Sequence, residues 1–271
     1  MQYLNINSTK IYKLVNFKNN KINKNVFKKK KNIFGVISRF SEDKNIIMLL
    51  FALQKIFSQK KNQHYLCYLV GSENKTIEQY IKSLICYLNL KKYVIFEGFQ
   101  EDVQKYYQLF DFIILHSVSE GCSYNILESI FYEKIMVLSD DGGNHELYPN
   151  NNCIFFNYEG IREFEKNNLY IENYHGQLHL LGYKISNNIK KEELVTDFQS
   201  FIHYFKYIHS IPSILLKKED ELKIKWNMHQ KNIEDAINKA MNMDLDSINK
   251  HITKNKLFYE KQFTKKIYYE S

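Results

Sequence analysis

The stretch SEGCSYNILESIFYEKIMVLSDDGGNHE, from Ser119 to Glu146, concentrates residues able to do chemistry. Glu120, Glu128 and Glu146 recur along it, and three of the chain's nine glycines, Gly121, Gly142 and Gly143, lie among them. A carboxylate accepts hydrogen bonds on two oxygens and can hold two neighbouring hydroxyls at once. Glu120 falls on a loop just before an expected helix start, and Glu128 falls inside that helix. Further back, Arg39 and Lys44 follow an apolar run and open another expected helix. Two cations with a helix N-terminus behind them make a site for a diphosphate. They would also stabilise a diphosphate as it leaves.

Such groups need a frame. Six short apolar runs supply one: IFGVI (33–37), HYLCYLV (64–70), YVIF (93–96), DFIILH (111–116), IMVLS (135–139) and CIFF (153–156). They are nearly continuous rather than alternating, as strands buried on both faces are. Between them KNIIMLLFALQKIFSQ (44–59), TIEQYIKSLICYLN (76–89) and SYNILESIFYE (123–133) repeat apolar residues at helical spacing. Strand alternating with helix predicts an α/β fold, a Rossmann-like parallel sheet with helices on both faces. Ligands of such sheets bind beyond the carboxyl ends of the strands. Gly35, Gly71, Gly98, Gly121, Gly142 and Gly143 all fall in these strands or just after them. Glycine there is expected to let backbone approach a ligand and to accept positive φ.

The second half reads differently. EELVTDFQSFIHYFKYIHSI (192–211) has the pattern of an amphipathic helix rich in aromatics, and residues 228–263 read as two charged helices. The expected organisation is therefore a linker remnant over 1–32 and a Rossmann-like domain over 33–160. An insert of partly helical structure follows over 161–226, then mostly helical C-terminal elements over 227–271 packing on the domain.

Composition narrows the functional classes. The chain has 271 residues, 44% of them hydrophobic, and a formal net charge of +8. Basic runs such as Lys28-Lys29-Lys30-Lys31 read as a solvated linker, though they are compatible with peripheral contact at an anionic membrane. Charge and aromatics alone do not make a nucleic-acid interface, so no nucleic-acid partner is expected. The N-terminus lacks the apolar core of a signal peptide, and no run approaches a membrane span, so a cytoplasmic location is expected. Cys67, Cys86, Cys122 and Cys153 show no metal-binding or redox spacing and read as reduced thiols. His175, His179, His203 and His209 match no common zinc pattern.

Taken in order, GVISRFSEDKN (35–45), YLVGSENK (68–75), VIFEGFQEDV (94–103), DFIILHSVSEGCSYNILES (111–129) and VLSDDGGNHEL (137–147) resemble the nucleotide-sugar-binding half of the family 4-type glycosyltransferases. These are two-Rossmann-domain enzymes of the GT-B type. The resemblance covers about residues 33–158. It implies a hexosyltransferase that uses a nucleotide-diphosphate sugar with retention of anomeric configuration, in glycan or glycolipid synthesis. Glu120, Arg39 and Lys44 would be the catalytic set. Glu128 would hold the ribose, and the amides of Gly121, Cys122, Ser123 and Tyr124 would line the sugar and diphosphate. Gly98, Phe99 and Gln100 would approach the nucleobase through backbone groups. The resembled family needs no metal for sugar transfer, so Asp140-Asp141 are read as part of a turn. No cofactor is expected beyond the donor itself.

The chain also departs from the resembled pattern. Glu133 and Ile135 stand where Gly and Pro are usual, and His116 replaces a common Pro. Only 38 residues precede Arg39, where the resembled enzymes carry an acceptor-binding domain. The resemblance thus implies a donor-binding half whose glycan or lipid-linked acceptor would be held by a separate N-terminal subunit. The competing reading is a non-catalytic nucleotide-sugar-binding module or a truncated remnant.

Overall fold

In the computed structural model, residues 32–40, 44–59, 65–72, 75–117, 123–140, 144, 153–157 and 219–263 are described. Six strands form one sheet: β1 (Ile33–Ile37), β2 (Leu66–Val70), β3 (Val94–Gly98), β4 (Phe112–Leu115), β5 (Ile135–Asp140) and β6 (Ile154–Asn157). Every pairing is parallel, and the spatial order is β3-β2-β1-β4-β5-β6. The helices are α1 (Ile46–Gln59), α2 (Lys75–Tyr87), α3 (Gln104–Leu109), α4 (Tyr124–Phe131), α5 (Glu219–Asn242) and α6 (Leu245–Phe263). The strand order reverses between β1 and β4, which makes that junction the topological switch point.

Strand residues alternate between two cores. Phe34, Val36, Cys67, Leu69, Phe112, Ile114, Ile135 and Val137 face one layer, with α1, α2 and α5. Ile37, Val70, Ile113, Leu115, Met136 and Leu138 face the other, with α3 and α4. Near-continuous apolar strands are what two covered faces demand. Helix α1 is buried from Ile46 through Leu53, with no polar face over its first two turns. The reason is α5, which lies across it and adds Ile233, Ala236, Ile237 and Ala240 to the same core. Gln230 Nε2 donates to the Phe51 carbonyl at 3.2 Å, and Lys55 pairs with Glu234 at 3.5 Å. Helix α6 then turns back onto α4 and β5 and adds Ile248 to the first core.

Helix α5 begins at Glu219, inside the segment read from sequence as insert. The helix expected over 192–211 lies outside the described residues. Helix α3 carries too few residues for a periodic signal. It starts where the Gln104 N–H donates to Asp102 Oδ1 at 2.9 Å, and it buries Tyr106 and Tyr107.

Gly35 serves packing rather than approach to a ligand. A Cβ there would lie 1.9 Å from the Phe110 ring, so the strand gives up a side chain to seat that aromatic. Glu133 takes φ 57, the left-handed conformation that glycine would supply at a helix end. The Lys134 N–H donates to the Ser129 carbonyl at 2.8 Å, closing α4, and Lys256 of α6 reaches the Glu133 carboxylate at 3.4 Å.

Candidate functional site

Parallel pairing puts the carboxyl ends of all six strands on one edge of the sheet. The register aligns Ile37 with Val70, and Val70 with Gly98. Ser38 and Arg39, Gly71, and Gly98 and Phe99 therefore leave the sheet together. The three strand ends are tied by short bonds: the Ser38 N–H donates to the Val70 carbonyl at 3.1 Å, and the Gly71 N–H donates to the Gly98 carbonyl at 2.7 Å. Gly98 has φ 69, which a residue with a side chain rarely adopts. Phe99 follows it and is 71% exposed, on the edge open to a ligand.

At the switch point two helix starts are pinned across the strands. Asn125, in the first turn of α4, donates from Nδ2 to the Ile37 carbonyl at the end of β1. His116, just past β4, bonds through Nε2 to the Asn45 carbonyl at 2.6 Å, directly before α1. Each helix is thus held by the strand from the other side of the junction. Arg39 is exposed beyond β1, and Lys44 is half-buried in the turn that leads into α1. Ser123 is buried before α4, and Tyr124 is exposed at its first residue. Two helix N-termini with Arg39 and Lys44 beside them make this edge suited to an anion.

Glu128 lies in the second turn of α4, half-buried. Tyr107 of α3 donates its hydroxyl to Glu128 Oε2 at 2.7 Å, and the Tyr107 ring stacks on Tyr132 at 4.8 Å. Burial raises the Glu128 carboxyl above its ordinary pKa, while the Tyr107 hydroxyl opposes that rise. The Tyr107 phenol is itself pushed well up, by burial first and then by the Glu128 charge. Replacing Tyr107 with Phe should therefore raise the Glu128 pKa further. A carboxyl chemical-shift titration of both proteins reads this directly. The lost bond should also lower stability by about 1 kcal/mol, since Glu128 is only partly buried. An unmoved Glu128 titration would show that the two groups do not act together.

Glu120, Gly121 and Cys122 lie outside the described residues, as do Asp141, Gly142 and Gly143. Gln100 turns back on its own loop, with Nε2 donating to the Glu97 carbonyl at 3.2 Å. Sequence reasoning missed Asn125, Asn45 and Tyr107. An Asn one position inside a helix, an Asn directly before one, and a Tyr pair in an apolar stretch are weak signals by themselves. Among the described residues, no three His, Cys, Asp or Glu side chains cluster as a metal ion would need. No described helix is long and apolar enough to cross a membrane.

Residues 17–174 match the family described as glycosyl transferases group 1. No curated protein sequence matches the chain. Among solved structures, a glycosyltransferase from Rickettsia africae ESF-5 is 19% identical with a TM-score of 0.42, over 93% of this chain and 54% of that one. HepE of Anabaena, solved in complex with UDP, is 19% identical with a TM-score of 0.40, over 82% and 48%. The C-terminal domain of the group 1 family glycosyl transferase LpcC from Francisella tularensis is 14% identical with a TM-score of 0.42, over 79% and 88%. The chain spans about half the length of the first two of these. The family match covers more than half of the chain, β1 through β6 included, and the chain belongs to the glycosyl transferases group 1 family, of the GT-B type.

Proposed function

We propose that this chain is the donor-binding half of a family 4-type hexosyltransferase that uses a nucleotide-diphosphate sugar and retains the anomeric configuration. The observation that supports the reading is the switch-point edge, where the starts of α1 and α4 are pinned across the strands, with Arg39 just past β1 and Lys44 just before α1. A diphosphate there meets two cations and two positive helix ends. As the glycosidic bond breaks, charge grows on the departing diphosphate, and fixed cations stabilise it most at that moment.

Glu128 takes the ribose hydroxyls in this reading, with the oxygen not held by Tyr107 turned to the ligand. Glu120 receives hydroxyls of the transferred sugar, and the amides of Gly121, Cys122, Ser123 and Tyr124 line the space between. Gly98 and Phe99 approach the base. The acceptor is a glycan or a lipid-linked saccharide, presented by a facing acceptor-binding subunit, and the product belongs to polysaccharide or glycolipid synthesis. The chemistry needs no metal and no further cofactor.

Arg39→Ala and Lys44→Ala test the reading. Charge-assisted hydrogen bonds contribute roughly 1.5–3 kcal/mol, so each variant should bind a nucleoside diphosphate about tenfold or more weakly. Affinity for the parent nucleoside should hardly change. Equal losses for both ligands in a calorimetric titration would make the two residues structural instead.

A further inference from the structure

One buried residue at the switch point is gripped from two sides. Asn45 precedes α1, is 1% exposed, and has φ 48. Its carbonyl accepts the first helical bond, from the Leu49 N–H at 3.4 Å, and also the 2.6 Å bond from His116 Nε2. A carbonyl only accepts, so His116 must carry its proton on Nε2. The Asn45 side chain meets a second imidazole: Nδ2 lies 3.2 Å from Nε2 of His229. An amide nitrogen only donates, so in this orientation of the Asn45 amide that ring nitrogen is the acceptor. His229 belongs to α5 and its ring lies 6.3 Å from that of Phe156 in β6. His116, His229 and Asn45 are all fully buried.

The three residues come from the end of β4, the joint before α1, and the long C-terminal helix. Burying three polar side chains is costly unless each is satisfied by another. The arrangement restrains Asn45 at two points: one imidazole on its carbonyl, the other on its side chain. Lys44 is the next residue toward the N-terminus, so its Cα has little freedom left. Its charge also lies close enough to His116 to oppose protonation of that ring.

We propose that His116 and His229 are positioning residues for the donor diphosphate, clamping Asn45 so that Lys44 meets the phosphates in one orientation. The inference rests on the donor-binding reading of this edge. It also ties helix α5 to the phosphate end of the site, because withdrawal of His229 releases half of the clamp. Neither imidazole needs to touch the ligand.

A double-mutant cycle tests it. His116→Leu and His229→Leu should each weaken a nucleoside diphosphate, uridine and guanosine forms both titrated, by about tenfold, the scale of a lost charged hydrogen bond. Affinity for the nucleoside should stay within about twofold, since its contacts do not pass through Lys44. In a Lys44→Ala background the same His changes should cost nothing more. His116→Gln, whose amide N–H can reach the Asn45 carbonyl, should restore most of the affinity. Hydrogen exchange over residues 44–49 of the unliganded proteins should speed up in the Leu variants and not in the Gln variant. Full losses persisting in the Lys44→Ala background, or unchanged diphosphate affinity in both Leu variants, would overturn the inference while leaving the donor site standing. A wild-type chain that binds no nucleoside diphosphate would overturn the donor reading, and the assignment of these residues to it.

Discussion

Gly71→Ala should destabilise the fold by about 3 kcal/mol or more, lowering the melting temperature by about 10 °C. Gly71 has φ 133, which residues with a Cβ avoid. A Cβ built there would lie 1.8 Å from the Ser38 carbonyl oxygen. That oxygen is backbone and cannot rotate away. Ser38 is itself tied to Val70, and Gly71 to Gly98, so the added methyl must pry apart the ends of β1, β2 and β3. Arg39 follows Ser38, so the same change should displace the cation proposed for the diphosphate. Gly35→Ala is the control. Its clash is with the Phe110 side chain rather than with backbone, and overpacking of that kind costs about 1–3 kcal/mol. Urea unfolding of the three proteins measures both effects. A Gly71→Ala variant within about 1 kcal/mol of wild type would mean that the strand ends are not cinched as described.

Stability should also fall steeply in mild acid, and His116 should carry much of the fall. Burial depresses the His116 pKa from 6.5 to about 4; the Asn45 carbonyl opposes that shift, and the nearby Lys44 charge adds to it. Between those values the unfolded chain takes up a proton that the folded chain refuses. Unfolding therefore gains as pH drops from 6.5 toward 4, and the contribution is fully present only above 6.5. A shift of that size corresponds to roughly 3 kcal/mol at the acid end of the window. His116 is fully buried, so solvent screening takes little from it. His116→Gln keeps the donor and removes the titration, so its stability should be much flatter across this range. Carboxylates titrate in both proteins and cancel in the difference. Parallel curves for wild type and variant would show that His116 titrates alike in the folded and unfolded chains.

Much of this arrangement was legible in the sequence. All six strands follow from near-continuous apolar runs bounded by polar residues, because both faces of the sheet are covered. Helices α1, α2 and α4 follow from spacing, and the last two helices from charged periodic patterns. What escaped has physical reasons. Helix α3 spans less than two turns, and its identity lies in two buried tyrosines rather than in periodicity. The roles of Asn125, Asn45 and His229 arise from contacts between residues 71 to 184 positions apart, which no local pattern encodes. His116 stood out only as a departure from a common Pro. The structure gives that departure a purpose, since Pro has no ring N–H to offer the Asn45 carbonyl.

Glycine scarcity also has a structural counterpart. The left-handed positions Asn32, Asn45 and Asn89 use Asn, the residue that tolerates this conformation best after Gly. Among the described residues Glu133 takes the fourth such position, with Lys256 beside it. A reading that sought turns through glycine alone passes over all four. Conversely, Gly35 resembled a ligand-facing glycine and is a packing one. The identity of a rare residue marks that space is short, and only the neighbour shows what fills it.

The donor reading places a nucleoside diphosphate at the β1–β4 junction. Calorimetric titration of the purified chain with uridine and guanosine diphosphates tests it most directly, with the two parent nucleosides as controls. Saturable binding of at least one diphosphate is expected, tighter than its nucleoside and weakened by Lys44→Ala. No heat from either diphosphate at millimolar concentration, or binding indifferent to Arg39 and Lys44 alike, would contradict it.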